Sequence, residues 1–79
     1  MKSGKKKDLD KRLYKIAQKI KKMRIDKGFT SYEHFAWEHE INRVQYWRME
    51  KGSNITFSSL LKVLDIHKIS LKEFFQDIT

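Results

Sequence analysis

The 79-residue chain contains no cysteine and no proline, and its only glycines are Gly4, Gly28 and Gly52. Without cysteine there is no disulfide, no thiolate nucleophile and no cysteine-based zinc site. Without proline and with so little glycine, the backbone is suited to helices joined by short turns. Long apolar runs are also missing. None exceeds a few residues, against the roughly 20 needed to cross a bilayer, so no membrane association through a spanning helix is expected. The basic start, Met1-Lys2-Ser3-Gly4-Lys5-Lys6-Lys7, is not followed by an apolar stretch. It therefore does not have the form of a secretory signal, and a cytoplasmic location is the default expectation.

What is present is a chain long enough for one small domain, with 39% hydrophobic residues to build a helical core. Its net charge of +8 is unevenly placed. Residues 1–27 hold 12 Lys/Arg against 3 acids, whereas residues 28–41 hold three glutamates and no Lys/Arg. Residues 42–52 carry net +2, and residues 53–79 are neutral. So basic a chain is drawn to polyanions, either nucleic acid or an anionic membrane surface.

Residues 1–8 read as a basic disordered arm ahead of a single domain over 9–79. The arm's lysines serve either solubility or contact with phosphates. A first helix is expected from Asp8, with Asp8 and Asp10 suiting the positive end of its dipole. Leu9, Leu13, Ile16, Ala17, Ile20 and Met23 recur every three or four residues as a buried stripe, with Lys11, Arg12, Lys15, Lys19 and Lys22 on the opposite face. Arg24 falls at the edge of the stripe, and Gly28 supplies a left-handed stop. Thr30-Ser31-Tyr32-Glu33 has the form of a capping box with Thr30 as its cap, opening a helix that runs to about His39. Phe29 packs on that helix and Phe35-Ala36 is its buried pair. Trp37 is either packed on a second face or partly exposed.

The segment from Asn42 to Gly52 is the centre of the chain. An asparagine opens it as N-cap and a glycine closes it. Tyr46 and Met49 pack inward, Trp47 is undecided, and Arg43, Val44, Gln45, Arg48 and Lys51 point elsewhere. The Glu40-Ile41 turn before it, with Ile41 as an apolar plug, makes the two short helices read as a helix-turn-helix. After the Ser53-Asn54-Ile55 loop, Thr56 caps a helix carrying Phe57, Leu60, Leu61, Val63, Leu64 and Ile66, apolar almost all round and so the expected central element. Ser70 to Glu73 is a second capping box, opening a last helix with Leu71, Phe74, Phe75 and Ile78. The paired phenylalanines are core residues, or one of them is an exposed dimer contact.

With five helices placed, residues from about 13 to 76 resemble the lambda-repressor-like family of bacterial and phage regulators, the Cro/Xre type. The resemblance is carried by Ile20, Met23 and Arg24, then Gly28-Phe29-Thr30, Phe35-Ala36 and Ile41-Asn42-Arg43. It continues in Met49-Glu50-Lys51-Gly52, Leu60-Leu61 and Ser70 to Phe75, and the interval from Ala36 to Glu50 matches the family's alanine-to-glutamate interval. Two features depart from the pattern. Glu40 stands where the family has a turn glycine, and one extra residue lies between Gly28 and Phe35.

The resemblance implies an all-α, five-helix DNA-binding domain in which residues 42–51 form the recognition helix. Arg43, Val44 and Arg48, with Gln45 close by, would face the bases, and arginine and glutamine are side chains able to pair bidentately with guanine and adenine edges. Ser31 and Tyr32 would hold one phosphate, and Lys51, Ser53 and Asn54 another. Arg24 and Glu50 would form a structural ion pair. The function expected is a sequence-specific regulator that binds double-stranded DNA as a homodimer on a two-fold-related operator.

A protein-interaction module, such as the antitoxin of a toxin–antitoxin pair, is the alternative, and the acidic group Glu33, Glu38 and Glu40 gives it weight. An enzyme is not expected. His34 and His39 are five residues apart and off one helical face, and no phosphate loop or nucleophile motif occurs. Neither cofactor nor metal is expected.

Overall fold

The computed structural model describes residues 10–53 and 55–78. These form five α-helices and no strand: α1 (Lys11–Asp26), α2 (Tyr32–Glu38), α3 (Arg43–Lys51), α4 (Phe57–His67) and α5 (Leu71–Phe75). None of them is long and apolar enough to cross a membrane. The expected arm, residues 1–8, lies outside the described residues.

Local chemistry sets each boundary. Asp10 caps α1 by accepting from the Arg12 amide at 2.8 Å, so the helix begins after Asp10 and not at Asp8 as its acids suggested. Hydrogen bonds from the Arg12 side chain and backbone pull the Asp10 carboxyl down to about 2. The cap of α2 is Ser31, not Thr30, and its Oγ accepts from the Glu33 and His34 amides at 3.1 and 3.2 Å. Two adjacent hydroxyls compete for that role, and extended backbone at Ser31 decides it. Glu33 is then one residue too early to complete a box, and its carboxylate turns elsewhere. The box at Ser70 and Glu73 closes on both sides at 3.0 Å, which holds the Glu73 carboxyl below its ordinary value.

Four helices end in the same way. After α1, Phe29 N donates to Arg24 O and Gly28 N to Ile25 O, a doubled closure repeated after α2, α3 and α4. Each closure needs one left-handed residue. Gly28 and Gly52 supply two of them at φ 102° and 81°, but Glu40 and Lys68 supply the others at φ 55°. The turn before α3 is thus left-handed at Glu40 without a glycine. Such a residue with a Cβ costs about 1–2 kcal/mol.

The core gathers Ile20, Phe35, Ala36, Tyr46, Met49, Leu60, Val63, Leu64, Phe74 and Ile78. Phe35 is its hub, with Tyr46 at 5.0 Å, His39 at 4.6 Å and His67 stacked at 5.4 Å between ring centroids. Phe29 meets Phe35 edge-on at 5.2 Å, as its place before α2 predicts. Burying each large apolar side chain contributes about 1.5–3 kcal/mol, and Tyr46 and Met49 anchor α3 in this shared core.

Three expectations about faces need correction. Helix α4 is not apolar-buried all round: Leu60, Val63 and Leu64 are in the core, but Phe57 is 61% exposed and Leu61 is also open to solvent. Lys19 is not on the solvent face of α1, because its ammonium donates to the Phe74 carbonyl at 2.7 Å and pairs with Asp77 at 2.8 Å. A long flexible stem lets a cation on a helix flank reach a chain end that sequence periodicity does not reveal. Leu13 and Leu71 lie at helix starts and are partly exposed.

Candidate nucleic-acid interface

Helix α3 is specified at both ends. Asn42 Oδ1 accepts from the Gln45 amide at 2.9 Å, and Gly52 closes the other end in the left-handed region. At about 100° per residue, Arg43, Trp47 and Lys51 form one exposed stripe, with Val44 and Arg48 on its adjoining edge. Tyr46 and Met49 lie on the opposite side and are fully buried. The helix therefore has one face committed to the core and one carrying three cations, a valine and a tryptophan to solvent.

An ion pair lies at each end, one buried and one exposed. At the far end, Arg24 grips Glu50 in a fork, Nε to Oε2 at 2.8 Å and Nη2 to Oε1 at 3.0 Å, while Nη1 donates to the Phe29 carbonyl at 2.8 Å. The side chains of this pair are 5% and 7% exposed. Burial, followed by the neighbouring Glu50 carboxylate, pushes the Tyr46 phenol above its ordinary range. Its hydroxyl has no hydrogen-bond partner among the described residues. At the near end, Glu33 from α2 stands 3.7 Å from Arg43, and both side chains are more than half exposed.

The expected base-facing residues divide. Arg43, Val44 and Arg48 are exposed on one face. Gln45 is half-buried, and its amide donates to Ser59 Oγ at the start of α4, where Thr56 Oγ1 also meets Ser59. In this structure Gln45 braces α3 against α4.

Of the expected phosphate contacts, Lys51 is exposed with its ammonium 5.5 Å above the Trp47 ring, and Ser53 is exposed beside Gly52. Tyr32 is half-buried at the start of α2, and the Ser31 oxygen is occupied by the cap. Asn54 lies outside the described residues. Trp47 and Lys21 also stand beside these residues, in the lining of one cleft with Lys51 and Tyr32. Trp47 shares the stripe of Arg43 and Lys51 at four-residue spacing, which is visible in the sequence. Lys21 stands three residues before Arg24 and so on the same flank of α1.

The histidines are separate from this face. His39 and His67 border Phe35 with buried Nε2 atoms that lack partners among the described residues, and His34 lies 3.9 Å from Glu38 at the surface. Burial, then the charges of Lys27 and His39, lower the His67 pKa. Among the described residues no group of three His, Cys, Asp or Glu is placed to hold a metal.

Comparison with protein-family models, with curated proteins and with solved structures finds no match to this chain.

Proposed function

We propose that the chain is a sequence-specific regulator that binds double-stranded DNA, a cytoplasmic helix-turn-helix protein of the lambda-repressor-like type with α3 as recognition helix. The observation that carries this reading is the division of α3. Its inner side is locked by Tyr46, Met49 and the Glu50 pair, while its outer side presents Arg43, Val44 and Arg48 together. A rigid helix with exposed guanidinium groups, Arg43 held only by its solvent-exposed contact to Glu33, suits the O6 and N7 acceptors of guanine, and a valine beside them suits the methyl group of thymine. The +8 charge supplies attraction to phosphates, which positions the helix but carries no sequence information.

A homodimer on two-fold-related half-sites accompanies this reading. The exposed Phe57 and Leu61, one helical turn apart on α4, offer apolar surface for self-association. Selection of bound duplexes from a random library tests the proposal. It predicts paired half-sites whose centres are about 34 Å apart, one turn of DNA. Recovery of no enriched sequence at moderate salt contradicts it.

One observation favours the second reading, a protein-interaction module such as an antitoxin. Trp37 is 77% exposed on α2, next to Glu38 and between Glu33 and Glu40. That acidic, aromatic face suits a protein partner better than a phosphate backbone. The two roles are not exclusive, although the α2 and α3 faces adjoin where Glu33 meets Arg43.

A further inference from the structure

A cleft of about 150 Å³ lies between α1, the start of α2 and the far end of α3, lined by Lys21, Arg24, Tyr32, Trp47, Glu50 and Lys51. Small-molecule pockets are typically about 300–1,000 Å³, so this one suits a single small group and not a nucleotide. Its floor is the Arg24–Glu50 pair, whose charges satisfy each other and the Phe29 carbonyl. The rim differs from the floor.

Lys21 and Lys51 come from helices far apart in the chain and both line this concavity, the Lys51 ammonium 5.5 Å above the Trp47 ring. Among the described residues neither is engaged in an ion pair, whereas Lys19 and Lys22 on the same helix as Lys21 are paired with Asp77 and Asp26. Tyr32 adds a hydroxyl, and Trp47 adds an indole N–H that can only donate. Two cations, two neutral donors and no free carboxylate together suit a tetrahedral oxyanion.

We infer that Lys21, Tyr32, Trp47 and Lys51 form one seat for a single phosphodiester of the DNA backbone. The inference rests on the DNA-binding reading and deepens it. Tyr32 and Lys51, expected at two separate phosphates, share one cleft, and α1 joins the interface through Lys21. The seat adjoins the stripe of Arg43, Trp47 and Lys51. A phosphate held there would fix the position of α3 against the backbone on the α1 side, leaving Arg43, Val44 and Arg48 toward the bases.

The test uses the full chain and a mixed-sequence duplex two helical turns long, since a phosphate contact needs no particular operator. The slope of log K against log salt is measured for wild type, Lys21→Gln, Lys51→Gln and Lys22→Gln, with melting curves to verify folding. Each lost phosphate contact should flatten the slope by about 0.9. The expected result is that flattening for Lys21→Gln and Lys51→Gln, with little change for Lys22→Gln. Equal flattening at all three lysines would mean a diffuse positive field and no seat.

A second arm titrates inorganic phosphate at fixed ionic strength and follows the Trp47 indole N–H by NMR. A saturable shift in wild type that Lys21→Gln abolishes supports the seat even if the duplex fails to bind, in which case only the DNA reading falls. Absence of any such shift, together with an unchanged salt slope in Lys21→Gln, overturns the seat while leaving salt-sensitive DNA binding to stand or fall by itself.

Discussion

Helix α3 carries an arginine–glutamate pair at each end, in opposite surroundings. Arg24 and Glu50 meet in a fork at 2.8 and 3.0 Å with almost no exposed surface, and Arg24 also satisfies the Phe29 carbonyl. Arg43 and Glu33 approach only to 3.7 Å, with side chains 64% and 57% exposed. Inside, an ion without its partner has no water to replace it. Outside, water screens the attraction and solvates either group alone, so the pair contributes little and its arginine is free to exchange partners. One pair builds the helix platform, and the other leaves a guanidinium available for a ligand.

The largest expected effect follows from breaking the inner pair. Arg24→Met or Glu50→Gln leaves its partner buried and uncompensated, which should cost about 3–5 kcal/mol. The double substitution should cost clearly less than the sum of the two single changes. Denaturant midpoints for the three variants decide this, and strict additivity would show that the groups are not coupled.

The next effect concerns the aromatic core beneath α3. The folded-state pKa of His67 is depressed, so on acidification the unfolded chain takes up a proton that the folded chain resists. Stability should therefore be independent of this residue above its ordinary value of 6.5 and should fall with pH below it, until the folded imidazole itself protonates. His67→Phe, which keeps a ring against Phe35, should remove that component of the slope. Chemical denaturation between pH 7 and pH 5 measures it, the interval set by the ordinary pKa near 6.5. Identical slopes in the two proteins would show that His67 does not titrate against the fold.

At the turn leading into α3, Glu40 is left-handed at φ 55°. Glu40→Gly should raise stability by about 1 kcal/mol, because relief of the Cβ strain exceeds the entropy lost by glycine. An unchanged or lowered melting temperature would show that the strain relieved at Glu40 is no larger than the chain entropy that glycine adds to the unfolded state. The smallest effect on stability belongs to the outer pair. Glu33→Gln should change it by less than about 1 kcal/mol, which calorimetry can check; a loss comparable to that of Glu50→Gln would erase the distinction between the two ends of α3.

How much of this was legible from residue order depended on whether the cause was local. Gly28 and Gly52 announce left-handed helix ends because glycine is the usual residue there, whereas Glu40 and Lys68 take the same conformation with no compositional sign. Ser70 and Glu73 stand at the required spacing with no competing hydroxyl before them, but Thr30 and Ser31 are adjacent and only the chain's path from Phe29 chooses between them. Phe35, Ala36, Tyr46 and Met49 were readable from periodicity as the buried side of the α2–α3 pair. Phe57 was not, since an apolar residue at a helix start gives no sign of whether another helix will cover it. Gln45 reads as outward-facing in sequence, since a bond to Ser59 that joins residues 14 apart leaves no local sign. The meeting of Lys21 with Tyr32, Trp47 and Lys51 depends on how three helices pack, which no segment specifies by itself.

The most direct measurement of the central claim compares base-preference profiles on a selected duplex for wild type, Arg43→Ala, Arg48→Ala and Lys51→Ala. A guanidinium paired with guanine discriminates by about 1–3 kcal/mol. Each arginine substitution should therefore relax preference at one or two positions of every half-site, at G·C pairs, while Lys51→Ala weakens all sequences by a similar factor and leaves the profile intact. If all three substitutions lower affinity alike and no base preference changes, α3 does not read the groove and the protein-interaction reading replaces it.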